Sequence, residues 1–124
     1  MAQKILIVDD DLYLRELYEE VIKDAGYEVE TAINGEDGLQ KIKTTPYNLI
    51  LLDVMMPKLD GLGVLAKLKE DTTYTFKTPI MLLTNLAHDP AIQNAVQQGA
   101  IGFLIKADLS PDQLVNKIKP FISA

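Results

Sequence analysis

Five polar side chains fall at or just after the ends of apolar runs, where they could act together. Asp9 and Asp10 follow the first run, Asp53 ends the third, Thr84 the fourth and Lys106 the fifth. Clustered carboxylates repel each other unless a cation is present, and ligands that are all oxygen atoms favour Mg²⁺. An ionised aspartate can attack a phosphoryl group without a general base. A lysine supplies a point charge and a threonine a hydrogen bond to phosphoryl oxygens, so the pattern predicts metal-assisted phosphoryl chemistry on a carboxylate.

The segments that must position these residues alternate between apolar runs and helical patterns. Gly26 and Gly99 are suited to close helices, and Ser110, followed by Pro111 and Gln113, is typical of a helix start. The dipeptide at residues 34–35, Asn-Gly, indicates a turn. The patterns predict strands over about 4–8, 28–32, 49–54, 79–84 and 101–105, and helices over about 12–25, 38–43, 61–70, 90–98 and 111–122.

Alternation of buried strands with helices predicts an α/β fold with a parallel sheet covered by helices on both faces. We expect one domain over residues 1–124, a doubly wound (βα)5 arrangement of three layers. The strand order 2-1-3-4-5 of flavodoxin-like folds would bring all five polar residues to one crevice at the carboxyl ends of the strands. This order also puts the second strand, which ends in Thr31-Ala32-Ile33 without a carboxylate or amine, at an edge.

Composition excludes several classes of protein. The 124 residues contain no cysteine, which rules out a disulfide scaffold and a thiolate metal site. The balance of 18 acids against 12 bases, with a single arginine, argues against direct binding of nucleic acid. The first apolar run has only four residues and ends in acids, unlike a signal peptide or a membrane span. We therefore expect a cytoplasmic protein that does not contact a membrane.

A series of motifs connects these residues. In order along the chain they are Ile7-Val8-Asp9-Asp10, Leu51-Leu52-Asp53-Val54-Met55-Met56-Pro57, Asp60-Gly61, Thr84 and Phe103-Leu104-Ile105-Lys106. In this order and spacing, and over essentially the whole chain, they strongly resemble the receiver domains of bacterial two-component response regulators. The resemblance implies that Asp53 is the phosphoacceptor, charged by a histidine kinase or a histidine phosphotransfer protein. It also implies that Asp9, Asp10, Asp53 and the backbone carbonyl of Met55 hold Mg²⁺.

The resemblance further implies a switch rather than a conventional enzyme. Thr84 and Phe103 would be the switch pair, with Thr84 moving toward the phosphoryl group and the Phe103 ring turning inward. The face from the fourth helix through the fifth strand to the fifth helix would then change shape and bind an output protein. Such a chain catalyses only its own phosphorylation and slow self-dephosphorylation. It is expected to be a monomer or a weak dimer that depends on phosphorylation.

Three positions depart from the family pattern. Family members usually carry a cis Lys-Pro bond after the fifth strand, whereas Lys106 is followed by Ala107. A cis bond before a non-proline residue costs about 3–4 kcal/mol, so we expect either a trans bond with a rearranged loop or a strained cis bond. Asn85 stands where a small residue is usual, and could narrow the site or hydrogen-bond to it. Met55 and Leu86 cannot orient a water molecule, which predicts slow self-dephosphorylation.

Other interpretations of the sequence remain open. The chain could be a stand-alone regulator, which we favour, or a receiver from a longer protein with a DNA-binding or enzymatic output. A phosphatase of the haloacid-dehalogenase type needs a second aspartate two residues after the first, where this chain has Met55. A flavin carrier needs a hydroxyl-rich phosphate loop where this chain has three consecutive acids. His88 has no second histidine or cysteine for zinc and is expected on a surface loop.

Overall fold

Five parallel strands form one sheet in the computed structural model, which describes residues 3–75, 77–85, 89–97 and 99–122. The strand order is β2-β1-β3-β4-β5, as predicted. A parallel sheet with helical crossovers is buried on both faces, which explains why β3 and β4 consist almost wholly of aliphatic residues. The strands are β1 (Lys4–Val8), β2 (Glu28–Ala32), β3 (Leu49–Asp53), β4 (Ile80–Thr84) and β5 (Gly102–Ile105).

Helices connect the strands and cover the sheet. They are α1 (Leu12–Asp24), α2 (Gly35–Thr44), α3 (Gly61–Glu70), α4 (Pro90–Gln97) and α5 (Pro111–Ile118), with 3₁₀ turns at Lys106–Asp108 and Lys119–Phe121. Gly26 follows α1 with a φ of 101°, the left-handed conformation that glycine adopts at low cost after a helix. Ser110 caps α5 in the predicted capping box with Gln113.

The two faces of the sheet carry separate cores because successive strand residues point to opposite sides. Leu6 and Val8 of β1 belong to the core under α2, α3 and α4. Ile5 and Ile7 belong to the core under α1 and α5. The result is the predicted three-layer α/β/α arrangement, in which helices pack on both faces of the sheet.

The predicted start of α2 at residue 38 was too late. The helix begins at Gly35, and Asn34 is its N-cap, with its side-chain oxygen accepting a hydrogen bond of 2.8 Å from the backbone N–H of Asp37. The Asn-Gly pair favours a turn, but asparagine is equally favoured as a helix cap. Here Asn34 acts as the helix cap, and α2 therefore begins at Gly35.

The predicted end of α5 near residue 122 was too far along the chain. The α-helix ends at Ile118 and a 3₁₀ turn follows over Lys119–Phe121. Pro120 explains the difference, because proline has no backbone N–H and its ring clashes with the carbonyl four residues earlier. The proline is visible in the sequence and its effect should have been anticipated.

Among the described residues, no helix combines the length and apolar character needed to cross a bilayer. The longest of these helices, α1, has 13 residues. A spanning helix needs about 20 apolar residues.

Candidate functional site

Asp53 ends a strand that is buried along its whole length. Every residue of β3 is buried, and the Asp53 residue is only 3% exposed. The backbone N–H of Met55 donates to its Oδ1 atom at 3.3 Å. Gly61 lets the start of α3 approach this strand end, because a Cβ at position 61 would lie 2.5 Å from the Asp53 carbonyl oxygen. The sequence therefore places one carboxylate at a fixed point on the sheet rim.

The turn between β1 and α1 brings two more carboxylates to the same rim. Asp9 is fully buried, and its Oδ1 accepts a hydrogen bond of 2.9 Å from the backbone N–H of Asp11. Asp10 is exposed. Asp11 caps α1 by accepting from the backbone N–H of Leu14 at 3.1 Å. Asp11 therefore caps the helix and also lines the crevice with Asp10, whereas Asp9 is buried.

Carboxylate oxygens of Asp9, Asp10 and Asp53 lie within 4.8 Å of one another. Burial and, to a smaller extent, the neighbouring charge of Asp9 raise the pKa of Asp53 to about 7, against the opposing charge of Lys106. A cluster of oxygen ligands with excess negative charge fits a hard divalent cation, which would favour the ionised carboxylates. Met55, whose carbonyl is the predicted fourth ligand, lines the same crevice.

Lys106 reaches across the crevice from the end of β5. Its Nζ atom lies 3.2 Å from Asp9 Oδ2 and 3.4 Å from Asp53 Oδ2. Burial alone lowers the pKa of Lys106, but the charges of Asp53 and Asp9 and hydrogen bonds to them raise it overall. Lys106 is therefore protonated and offsets part of the negative charge. The structure brings this residue to the acids, as the sequence predicted.

The peptide bond between Lys106 and Ala107 is trans, as are all peptide bonds among the described residues. Of the two expected outcomes, the structure has the trans bond. The segment Lys106–Asp108 forms a 3₁₀ turn. The backbone N–H of Ala107 donates to Asn85 Oδ1 at 2.7 Å.

The two residues predicted to form a switch pair lie on neighbouring strands. Thr84 is 1% exposed and lines the crevice at the end of β4, where it pairs in register with Ile105. Phe103 pairs with Leu82 and is half-buried against the core under α2, α3 and α4. Their switch roles remain predictions, as do the catalytic and metal-binding roles of the other site residues.

The crevice has a volume of about 480 Å³ and is open to solvent. This volume is many times the roughly 30 Å³ that one water molecule occupies in liquid water. A phosphoryl group and bound waters can therefore enter together. Its lining combines acids, one amine, one hydroxyl, one amide and one thioether: Asp10, Asp11, Asp53, Met55, Thr84, Asn85 and Lys106.

Two contacts at this site were not anticipated from the sequence. Arg15 Nη1 donates to the backbone carbonyl of Asp9 at 2.8 Å, which ties α1 to the turn that carries the carboxylates. Asn85, which could narrow the phosphoryl site or hydrogen-bond to it, lines the crevice, and its side-chain oxygen also accepts a hydrogen bond from the backbone N–H of Ala107. The sequence offered one hint of the Arg15 contact. Arg15 is the single arginine of the chain and follows the acidic run by one helical turn. Leu86 and His88 lie outside the described residues.

Comparison with known proteins agrees with this architecture. The chain is 32% identical over 123 residues to the transcriptional regulatory protein CrdR of Helicobacter pylori, covering 99% of this chain and 56% of that protein. It is 38% identical over 117 residues to the probable transcriptional regulator ycf27 of Pyropia yezoensis, covering 94% of this chain and 46% of that protein. The chain spans about half the length of these curated relatives.

Solved structures give the same result. The chemotaxis response regulator CheY4 of Vibrio cholerae superimposes with a TM-score of 0.85 at 31% identity, covering 98% of this chain and 100% of that chain. A putative response regulator from Chloroflexus aurantiacus gives a TM-score of 0.83 at 31% identity, with 98% of each chain covered. The sequence model described as the response regulator receiver domain matches residues 5–119. This chain belongs to the family of response regulator receiver domains of two-component systems.

Proposed function

We propose that this chain accepts a phosphoryl group on Asp53 from a histidine kinase or a histidine phosphotransfer protein, in the presence of Mg²⁺. The phosphorylated chain then changes shape on the face formed by α4, β5 and α5 and so controls an output protein. One observation carries the proposal: the nearly inaccessible Asp53 carboxylate lies 3.4 Å from Lys106 and clusters with Asp9 and Asp10. The cytoplasmic location expected from the sequence stays a prediction.

The transfer step follows from these positions. A carboxylate oxygen of Asp53 attacks the phosphorus of the donor phosphohistidine, the P–N bond breaks, and the imidazole leaves with the bonding electron pair. A divalent cation, when held by Asp9, Asp10 and Asp53, supplies positive charge against the repulsion between carboxylates and phosphoryl oxygens. Lys106, whose amine lies within 3.4 Å of Asp9 and Asp53, supplies a second positive charge, and the Thr84 hydroxyl donates a hydrogen bond to a phosphoryl oxygen. Positioning and charge stabilisation are the main requirements of phosphoryl transfer.

The raised pKa of Asp53 explains the need for the cation. With a pKa of about 7, the carboxyl group of the metal-free protein is partly protonated at neutral pH, and a protonated carboxyl is a poor nucleophile. A divalent cation at the cluster favours the ionised form. We propose that Mg²⁺ thereby prepares Asp53 for attack as well as stabilising the transferred group.

The proposed activity is limited to the chain itself. The chain promotes its own phosphorylation and releases the phosphoryl group slowly by hydrolysis, and it turns over no separate substrate. The Met55 side chain at the crevice is 65% exposed and has no group that can orient a water molecule for attack. This arrangement supports a long-lived phosphorylated state, which a signalling switch needs.

Incubation with acetyl phosphate and Mg²⁺ tests the proposal. Intact-mass measurement should show one added phosphoryl group, which is stable to acid, labile to base and lost with Asp53→Asn. Asp60→Asn is the matched control, because Asp60 is an exposed aspartate that caps α3 outside the carboxylate cluster. Chelation of the metal should suppress the reaction. Phosphate on another residue, or equal labelling of Asp53→Asn, would overturn the proposal.

The output that the receiver controls could be a separate protein or a domain of the same polypeptide. The curated relatives are about twice as long as this chain and are named as transcriptional regulators. This observation favours a receiver that controls a covalently attached DNA-binding output over a separate partner protein. The length of the native reading frame that encodes this sequence distinguishes the two forms.

A further inference from the structure

We propose that Asn85 is a positioning residue for Lys106, acting through a hydrogen bond from the backbone N–H of Ala107. The Asn85 Oδ1 atom accepts this bond at 2.7 Å, and the two residues are 22 positions apart in the sequence. The bond joins the residue after β4 to the turn after β5. It therefore connects two segments that lie beside each other at the rim of the crevice.

The bond satisfies a group that the local turn leaves without a partner. The N–H groups in the first turn of a helix have no acceptor within the helix, and a side chain at the N-cap usually provides one. The 3₁₀ turn Lys106–Asp108 begins after Ile105, whose side chain makes no capping hydrogen bond. The side-chain oxygen of Asn85, the residue after β4, supplies the acceptor.

The position of this bond determines what it controls. The Ala107 N–H belongs to the peptide unit directly after Lys106, so holding it limits rotation of the Lys106 backbone. The long lysine side chain starts from that backbone and ends 3.2 Å from Asp9 and 3.4 Å from Asp53. A small shift at the start of a flexible side chain moves its charged end by more. The Asn85–Ala107 hydrogen bond therefore keeps the amine over the carboxylates.

The two unusual residues at this site complement each other. An alanine at position 107 has an N–H that requires an acceptor, and an asparagine at position 85 provides it. A proline at position 107 would have no N–H, and a small apolar residue at position 85 would have no acceptor. The trans peptide bond after Lys106 is compatible with this arrangement. The effect on phosphoryl transfer rests on the proposed function, whereas the effect on the position of Lys106 does not.

A double-mutant cycle with Asn85→Ala and Ala107→Pro tests the proposal. Asn85→Ala should slow phosphorylation by acetyl phosphate roughly two- to tenfold, the effect of losing one modest hydrogen bond. Ala107→Pro removes the N–H donor, and the phosphorylation rate of this variant is the reference for the second half of the cycle. In that background Asn85→Ala should have almost no further effect. Asn116→Ala, an exposed asparagine on α5, should react like the wild type.

Two NMR measurements made without a phosphodonor separate this proposal from the proposed function. Amide exchange at Ala107 should accelerate in Asn85→Ala, and the Lys106 Nζ resonance should shift as its contact with the carboxylates loosens. Unchanged exchange and an unchanged Nζ resonance would overturn the positioning role. Equal slowing by Asn85→Ala in both backgrounds would also overturn it, because the effect would not depend on Ala107. A wild-type chain that takes no phosphoryl group, yet shows both NMR changes in the variant, refutes only the proposed function.

Discussion

The two sides of the crevice are built differently. The carboxylate side consists of Asp9 and Asp10, which follow β1, and Asp53, which ends β3. Both strands are hydrogen-bonded to a neighbouring strand on each side. All of β3 is buried, whereas every residue of the edge strand β5 is only half-buried. The β4–β5 side (Thr84, Asn85 and Lys106) thus depends partly on an edge strand. The acids are fixed by the core, whereas Lys106 is fixed by individual polar contacts.

This difference matters for a switch. Asp9 and Asp53 are two buried acids on the carboxylate side; the charge of Lys106 offsets part of their repulsion, and the raised pKa of Asp53 reflects the remaining cost. The predicted switch residue Phe103 lies on the half-buried strand. A strand with fewer buried contacts can rearrange at lower free energy than a central one. The proposed phosphoacceptor Asp53 therefore lies on the side with more buried contacts, and the predicted switch residue Phe103 lies on the side with fewer.

The largest expected effect compares one leucine from each side. Leu52 of β3 is fully buried, whereas Leu104 of β5 is half-buried. Leu52→Ala should lower the free energy of unfolding by about 2–5 kcal/mol, the usual cost of truncating a core leucine. Leu104→Ala should cost about half as much, because it gives up less buried apolar area. Urea denaturation of both variants measures the difference. Equal losses would contradict the contrast between central and edge strands.

The next effect concerns the charge supplied from the β4–β5 side. Lys106→Ala should slow phosphorylation by acetyl phosphate on the order of a hundredfold, as expected when one group that stabilises developing charge is removed. It should also raise the pKa of Asp53 in the metal-free protein, since the Lys106 charge lowers that pKa. Rapid-quench labelling measures the rate. The control is Lys23→Ala, which removes a surface ion pair with Glu19 and should leave the rate unchanged.

The sequence was sufficient to predict the carboxylate side in detail. Short aliphatic runs that alternate with helical patterns indicate strands covered on both faces, and parallel strands place their carboxyl ends at one rim. The convergence of Asp9, Asp53 and Lys106 followed from this rule together with the strand order. The structure confirmed the fold and the meeting of these side chains. Local patterns indicated the elements, whereas the strand order was taken from flavodoxin-like folds.

The contacts that hold the β4–β5 side were not predictable in the same way. The Asn85–Ala107 hydrogen bond joins residues 22 positions apart, and no spacing rule relates them. On the carboxylate side, the Arg15 contact with the Asp9 carbonyl was equally unpredictable, because it depends on the direction in which α1 leaves the turn. Both are side-chain bonds to backbone groups, and their partners become known only when the loops have a three-dimensional course.

A smaller effect tests the electrostatic cost on the carboxylate side. The folded pKa of Asp53 is about 7, above the ordinary value of 3.8, so the folded metal-free protein binds its proton more tightly than the unfolded chain does. Stability should therefore fall as pH rises from about 4 to about 7. Asp53→Asn should remove this decline and raise the Tm at pH 8 by about 4 °C, which corresponds to about 1 kcal/mol.

Thermal melts in the presence of a chelator measure this difference. Added Mg²⁺ should narrow the gap between wild type and Asp53→Asn, because the cation stabilises the ionised carboxylate. Asp24→Asn removes an exposed carboxylate at the end of α1 and serves as the control. A Tm for Asp53→Asn that matches the wild type at pH 8 without metal would show that burying this charge costs little.

The smallest expected effect concerns Met55, which lines the crevice two residues after Asp53. Met55→Asn places an amide where the thioether is and can orient a water molecule toward the phosphoryl group. Loss of the acyl phosphate should accelerate roughly two- to tenfold, the contribution of one orienting hydrogen bond. Met55→Leu keeps an apolar side chain of similar volume and should retain the slow rate. Because Met55 is 65% exposed, neither change should alter stability much, so a difference in phosphate lifetime reports on water alone. Equal lifetimes in all three proteins would mean that hydrolysis is limited elsewhere in the crevice.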